Sequence, residues 1–190
     1  AGGTRTLTIR RRGWSNGMVL AWLVALSSGS PVSDGIEADA HRIQAHLASV
    51  ESDLQNMDTG ELSPRQRSAR ATNLERLSRY RRAGVFPRNP DFIGERMPYF
   101  VDSDGRHCAV AYLVQESGHQ GLVEEIRTSQ NNAKLLNMES AALSEWVAAS
   151  GLSAQELASI QPAYCGCPGD WAPVCGSDGV TYGNTCFAEV

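Results

Sequence analysis

Four of the five cysteines lie between Cys165 and Cys186, spaced C-x-C-x7-C-x10-C, and this placement constrains the fold more than any other feature. A segment this short buries too little apolar surface to fold by packing. Below about 40 residues, disulfides normally have to restrict the unfolded chain instead. Disulfides in turn point to an oxidising compartment, so the tail predicts both an architecture and a location. Spacing alone leaves the connectivity open.

The rest of the chain is large enough for one sizeable core, at 190 residues and 42% hydrophobic content. The formal charge of −4 hides an asymmetry. Residues 1–12 carry four Arg and no acid, residues 61–96 carry nine Arg against four acids, and residues 97–190 carry eleven carboxylates against three basic groups. The chain as a whole is acidic, and Tyr80 is the single aromatic among the arginines of 65–82. Neither basic block therefore shows the positive balance with repeated interleaved aromatics of a nucleic-acid surface, and none is expected.

Arg10-Arg11-Arg12, the apolar run Met18–Leu26 and the small residues Ser27–Ser30 form the basic, apolar, small order of a secretory signal, giving a signal-like segment over 1–30. The run is about half of a bilayer span, so no stable membrane helix is expected. A helical domain follows over 33–162. Asp34 with Glu37 reads as a cap, and Ile36, Ala40, Ile43, Leu47, Val50, Leu54 and Met57 recur at intervals of three and four. Ser63-Pro64 with Gln66 starts a second helix through Ala71, Leu74, Leu77 and Tyr80, which stops near Gly84. The short connection makes the two an antiparallel hairpin whose Arg-rich arm faces water or the acidic remainder.

Residues 85–104 read as a loop ordered by its rings and prolines, ending in the turn Asp102-Ser-Asp104-Gly105. These aspartates resemble the start of a calcium loop, but the later ligands are not at the required offsets, so turn formation is the reading. Arg106–Val114 reads as a helix, with strand pairing across the Asp-Gly turn as the competing reading. Further helices are marked by Leu122, Val123, Ile126 and Ala133, by Leu143, Trp146 and Val147 before Gly151, and by Ser153 with Glu156 before Leu157 and Ile160. The fold class is therefore mainly α: a helical hairpin plus a bundle of short helices, then a small disulfide-rich module over 163–190.

The last cysteine interval also carries Gly176, Asp178, Gly179, Thr181, Tyr182 and Asn184. Together with the cysteines, these residues resemble a Kazal-type module, the disulfide-stapled domain of secreted serine-protease inhibitors and follistatin-like proteins. The resemblance implies a pairing of Cys167 with Cys186, leaving Cys165 and Cys175 without partners. It also implies two more cysteines beyond Val190, so the sequence reads as cut inside its last domain; a differently paired module is the alternative. By the same resemblance, Pro168, Gly169 and Asp170 form the protease-binding loop, with Gly169 at the specificity pocket and Asn184 bracing the loop. Gly169 has no side chain to bury, and the close C-x-C opening is similar to follistatin-type modules. The implied role is extracellular protein recognition, with serine-protease inhibition as its weak form, in a secreted or periplasmic protein.

The competing class is an exported thiol enzyme. Cys108 in the first turn of a helix, with His107 or His119 as base and Asn131-Asn132 nearby, follows thiol-hydrolase logic. The plainer reading is a small buried side chain before Ala109 and Val110. One Cys with two His is a ligand short of a structural zinc, and His41 and His46 do not share a helix face. No metal or cofactor is expected.

Overall fold

The computed structural model describes residues 31–166, 174–175, 181–182 and 184–188, with backbone only at 31–35, 181, 186 and 187. The signal-like segment lies outside the described residues. So do Cys167, Pro168, Gly169 and Asp170.

The protein is mainly helical. α1 (Pro31–Asn56) and α2 (Pro64–Ala83) form the hairpin. α3 (Ala109–Glu116), α4 (Gln120–Ser129), a 3-10 turn (Leu135–Asn137), α5 (Ala141–Ser150) and α6 (Ala154–Ile160) pack around it. Two small antiparallel ladders complete the order. β1 (Arg96–Met97) pairs with β2 (Tyr164–Cys165), and β3 (Val174–Cys175) pairs with β4 (Thr181–Tyr182), ahead of the short helix α7 (Thr185–Ala188).

The apolar stripe of α1 is core in its middle, where Ile43, Leu47, Val50 and Leu54 are buried. Its ends, Ile36 and Met57, reach solvent. The helix is already formed at Pro31, so Asp34 lies inside it and is not its cap. Proline's fixed φ suits a first helical turn, and that preference places the start earlier than Asp34 would. At α2 the Ser63–Gln66 capping box is present, and Gly84 closes the helix at φ 66°.

Both readings of Arg106–Val114 hold in part. An antiparallel bridge joins Val101 to His107 across the turn, and α3 begins two residues later. Asp102 organises that turn. Its carboxylate accepts from the backbone N–H groups of Arg88, Asp104 and Arg106 and from the Arg106 guanidinium, at 2.8–3.0 Å. A carboxylate so fully occupied is a structural hub, as a turn-forming role requires. α5 starts at its N-cap Ser140 and ends at Gly151, and α6 starts with the Ser153–Glu156 capping box.

The Arg-rich arm departs from the sequence expectation. Arg70 and Asn73 are buried on the inner face of α2, while Ala71, expected inside, is exposed. Helix ends explain this, because the last carbonyls of a helix have no partner within it. Arg70 donates to Leu54 O near the end of α1 and to Gly151 O past the end of α5, and pairs with Glu156 at 2.8 Å. Asn73 serves Ser150 O, and Arg76 serves Glu116 O at the end of α3. A methyl built on Gly151 would overlap the Gln66 carbonyl oxygen, and Gly151 has φ 75°, so only glycine fits where α5 turns against α2.

Candidate protein-recognition site

The C-terminal module grows out of α6 along one face of α1. Three polar residues of α1, spaced three and four apart, follow the chain as it leaves α6. His46 Nε2 donates to Ser159 O at 2.9 Å, Arg42 to Ala163 O at 2.6 Å, and Asp39 accepts from Cys165 N at 3.3 Å. Asp39 and Arg42 also pair with each other at 2.7 Å. Residues at this spacing share one side of a helix, so the ladder runs beside the apolar Ile43–Leu47 stripe.

A second set of contacts comes from the loop before β1. Gly94 N donates to Gly166 O at 2.6 Å, and Gly166 N donates to Glu95 O at 2.9 Å, extending the β1–β2 ladder. Buried Asn89 joins the strands. Its Nδ2 faces Phe92 O, Glu95 O and Tyr164 O at 3.0–3.3 Å, and its Oδ1 accepts from Phe92 N at 3.0 Å. A methyl built on Gly166 would overlap the Phe92 carbonyl oxygen, so the chain passes here only as glycine.

Tyr164 is the module's anchor in the core, with 0% exposure. Its hydroxyl lies near that of Tyr80, but Tyr80 donates to His107 O at 2.8 Å, and the Tyr164 hydroxyl has no hydrogen-bond partner. Burying the ring contributes about 1.5–3 kcal/mol, while an orphaned hydroxyl costs about 1–3 kcal/mol, so ring burial is partly offset. Burial drives both tyrosine hydroxyls well above their ordinary pKa, so both stay neutral.

Cys165 is disulfide-bonded, which corrects the expectation that it has no partner. Cys175 stands in β3, exposed, and Cys186 in α7. Asn184, the bracing residue implied by the resemblance, is 5% exposed, and Ala188 N donates to its backbone oxygen at 3.2 Å.

The thiol-enzyme residues are not brought together. Cys108 has 0% exposure and is the N-cap of α3, its Sγ accepting from Ala111 N at 3.3 Å. Burial pushes its thiol up to about 12, which leaves it neutral and unreactive at physiological pH. His119 lies beyond the far end of the eight-residue α3, about 12 Å along the axis. It contacts Ser117 Oγ. Burial holds the His107 ring below its ordinary pKa, against the opposing pull of Gln115 and Asp102. Asn131 is spent on the backbone of Val101, and Asn132 on Pro98 O. His107 borders an open groove of about 450 Å³ with Asp102, Gln115, Glu124 and Arg127. Its charges are already paired, Arg127 with Glu124 at 2.7 Å and Asp102 with Arg106. Among the described residues, no group of three His, Cys, Asp or Glu is placed to hold a metal ion. Likewise, no described helix is long and apolar enough to cross a membrane.

Sequence reasoning missed the seam. The i, i+3, i+7 spacing of Asp39, Arg42 and His46 was a readable signal, whereas Asn89 carried none for the seam, because Tyr164, its partner there, is 75 residues away.

Residues 154–188 match the model of the Kazal-type serine protease inhibitor domain. The matched stretch takes in α6 as well as the cysteine-rich segment, so it begins inside the helical core, where Leu157 and Ile160 are buried. None of the curated proteins and none of the solved structures matches the chain.

Proposed function

We propose that the chain is an exported protein, secreted or periplasmic, whose C-terminal module recognises extracellular proteins, with serine proteases as the partner class and Pro168–Gly169–Asp170 as the contacting segment. The observation that carries this reading is the match of residues 154–188 to an inhibitory, non-catalytic domain family. The disulfide at Cys165 agrees with an oxidising destination. Burial of Asn184 agrees with a bracing role.

The expected affinity is modest. A protease pocket gains most from a side chain it can bury, and Gly169 offers none. Affinity then rests on backbone contacts and on how little the segment must order when it binds. The test is inhibition of elastase-like and subtilisin-like proteases at micromolar concentration by the chain and by Gly169→Leu. A buried leucine contributes about 1.5–3 kcal/mol, so the variant should bind roughly ten- to a hundred-fold more tightly. No inhibition by either protein would leave the module without a protease partner. Inhibition indifferent to Gly169→Leu would move the contact away from residue 169.

A further inference from the structure

In a free-standing small module, the frame that holds a binding segment must come from within it. Here the chain immediately before Cys167 is held from outside, by two separate parts of the helical body. From α1, Asp39 and Arg42 grip Cys165 N and Ala163 O. From the loop before β1, Gly94 and Glu95 exchange backbone hydrogen bonds with Gly166, and Asn89 bridges Phe92, Glu95 and Tyr164. The Tyr164 ring sits in the core between these grips. Every residue from Ala163 to Gly166 is thereby fixed by at least one contact to a residue more than sixty positions earlier in the chain.

We propose that α1 and the Asn89–Arg96 loop together form a built-in brace for the recognition segment, with Asp39 and Asn89 as its positioning residues. Asn89 touches no partner protein in this scheme. It holds the limb from which residues 167–173 depart, so the segment starts from a rigid base and loses less freedom on binding. The same rigidity slows cleavage, because a protease cuts a segment that can move into the productive geometry and away again, and not one pinned at its entrance. The helical body would therefore set how well the module resists the enzyme it binds. This inference rests on the proposed recognition role but can be read separately from it.

Limited proteolysis by an excess of a subtilisin-like protease, with cut sites mapped by mass spectrometry, reads the brace directly. Asn89→Asp keeps the shape and the acceptor oxygen of the side chain but removes the Nδ2 donor. It should raise cleavage between residues 166 and 174 at least ten-fold, with far-UV circular dichroism and cleavage in the 57–63 connection unchanged. Asp39→Ala, on the partly exposed side of α1, should raise the same cuts about three-fold and serves if Asn89→Asp does not fold. Arg127→Ala, on α4, should change neither site. Unchanged cleavage at 166–174 in both brace variants overturns the proposal, and so does an equal rise at 57–63, which marks general loosening. If the wild-type chain inhibits no protease but the variants still open 166–174 selectively, the brace stands and the recognition reading falls. If the chain inhibits and the variants match it in both inhibition and cleavage, the brace alone falls.

Discussion

The helical body and the C-terminal module solve the same problem by different means. From Ile43 to Ile160 the body encloses a continuous apolar core, with helix ends closed by capping boxes, by Gly84 and Gly151, and by arginines reaching across from α2. The module contributes one ring, Tyr164, to that core, and among its other described side chains only Asn184 is buried. What it lacks in packing is supplied by the Cys165 disulfide and by hydrogen bonds taken from the body. The contrast follows from size: a long chain segment can enclose apolar surface, and a short one cannot. Under the proposed function it also divides the work, with stability in the body and recognition in the module.

The sharpest way to break this comparison is at Arg70. Its removal leaves Leu54 O and Gly151 O short of a donor and Glu156 with a partly buried, uncompensated charge. Losing one partner of a buried pair typically costs about 3–5 kcal/mol, so the Arg70→Ala urea midpoint should fall by that equivalent across the whole body. A change confined to cleavage near residue 166 would place Arg70 in the module's support instead.

A smaller effect is expected from reducing the disulfide. Loss of such a bond is worth about 2–4 kcal/mol, and it should be felt locally. Helical circular dichroism and the melting of the body should survive dithiothreitol, while residues after Cys165 become protease-sensitive. Melting of body and module together on reduction would show one cooperative unit and erase the distinction.

The smallest effect concerns acid. Burial raises the Glu156 pKa, but the hydrogen bonds from Arg70 and Ser153 outweigh it, and the net shift is downward. A depressed carboxyl pKa adds stability that is full above the unfolded value, about 4.3, and is lost as the pH falls through the folded one. Glu156→Gln should therefore narrow the gap between urea midpoints measured at pH 7 and pH 3. An unchanged gap would assign the acid sensitivity to other carboxylates.

Much of the body was legible because its signals are local. Ser63 with Gln66, Ser153 with Glu156, and the glycines after α2 and α5 mark helix ends within four residues of sequence. The Ile43–Leu54 stripe repeats often enough to read. The inner face of α2 was not legible, since Arg70 and Asn73 are buried to serve carbonyls 16 to 81 residues away. The β1–β2 ladder has two residues per strand, too few for alternation to show. In the module the cysteine spacing was readable as a Kazal-type pattern, and the family match over residues 154–188 agrees with it. The support beneath the module was not readable, because Asn89 and Gly166 acquire their roles only when distant segments meet.

The central claim is that recognition belongs to the disulfide-held module and not to the helical body. Titrating the native chain into a subtilisin-like protease, with a chromogenic substrate and with or without prior reduction, tests it most directly. The account predicts reversible, competitive inhibition at micromolar concentration that disappears on reduction while helical circular dichroism persists. Absence of inhibition in the oxidised chain, or inhibition that survives reduction, would contradict it.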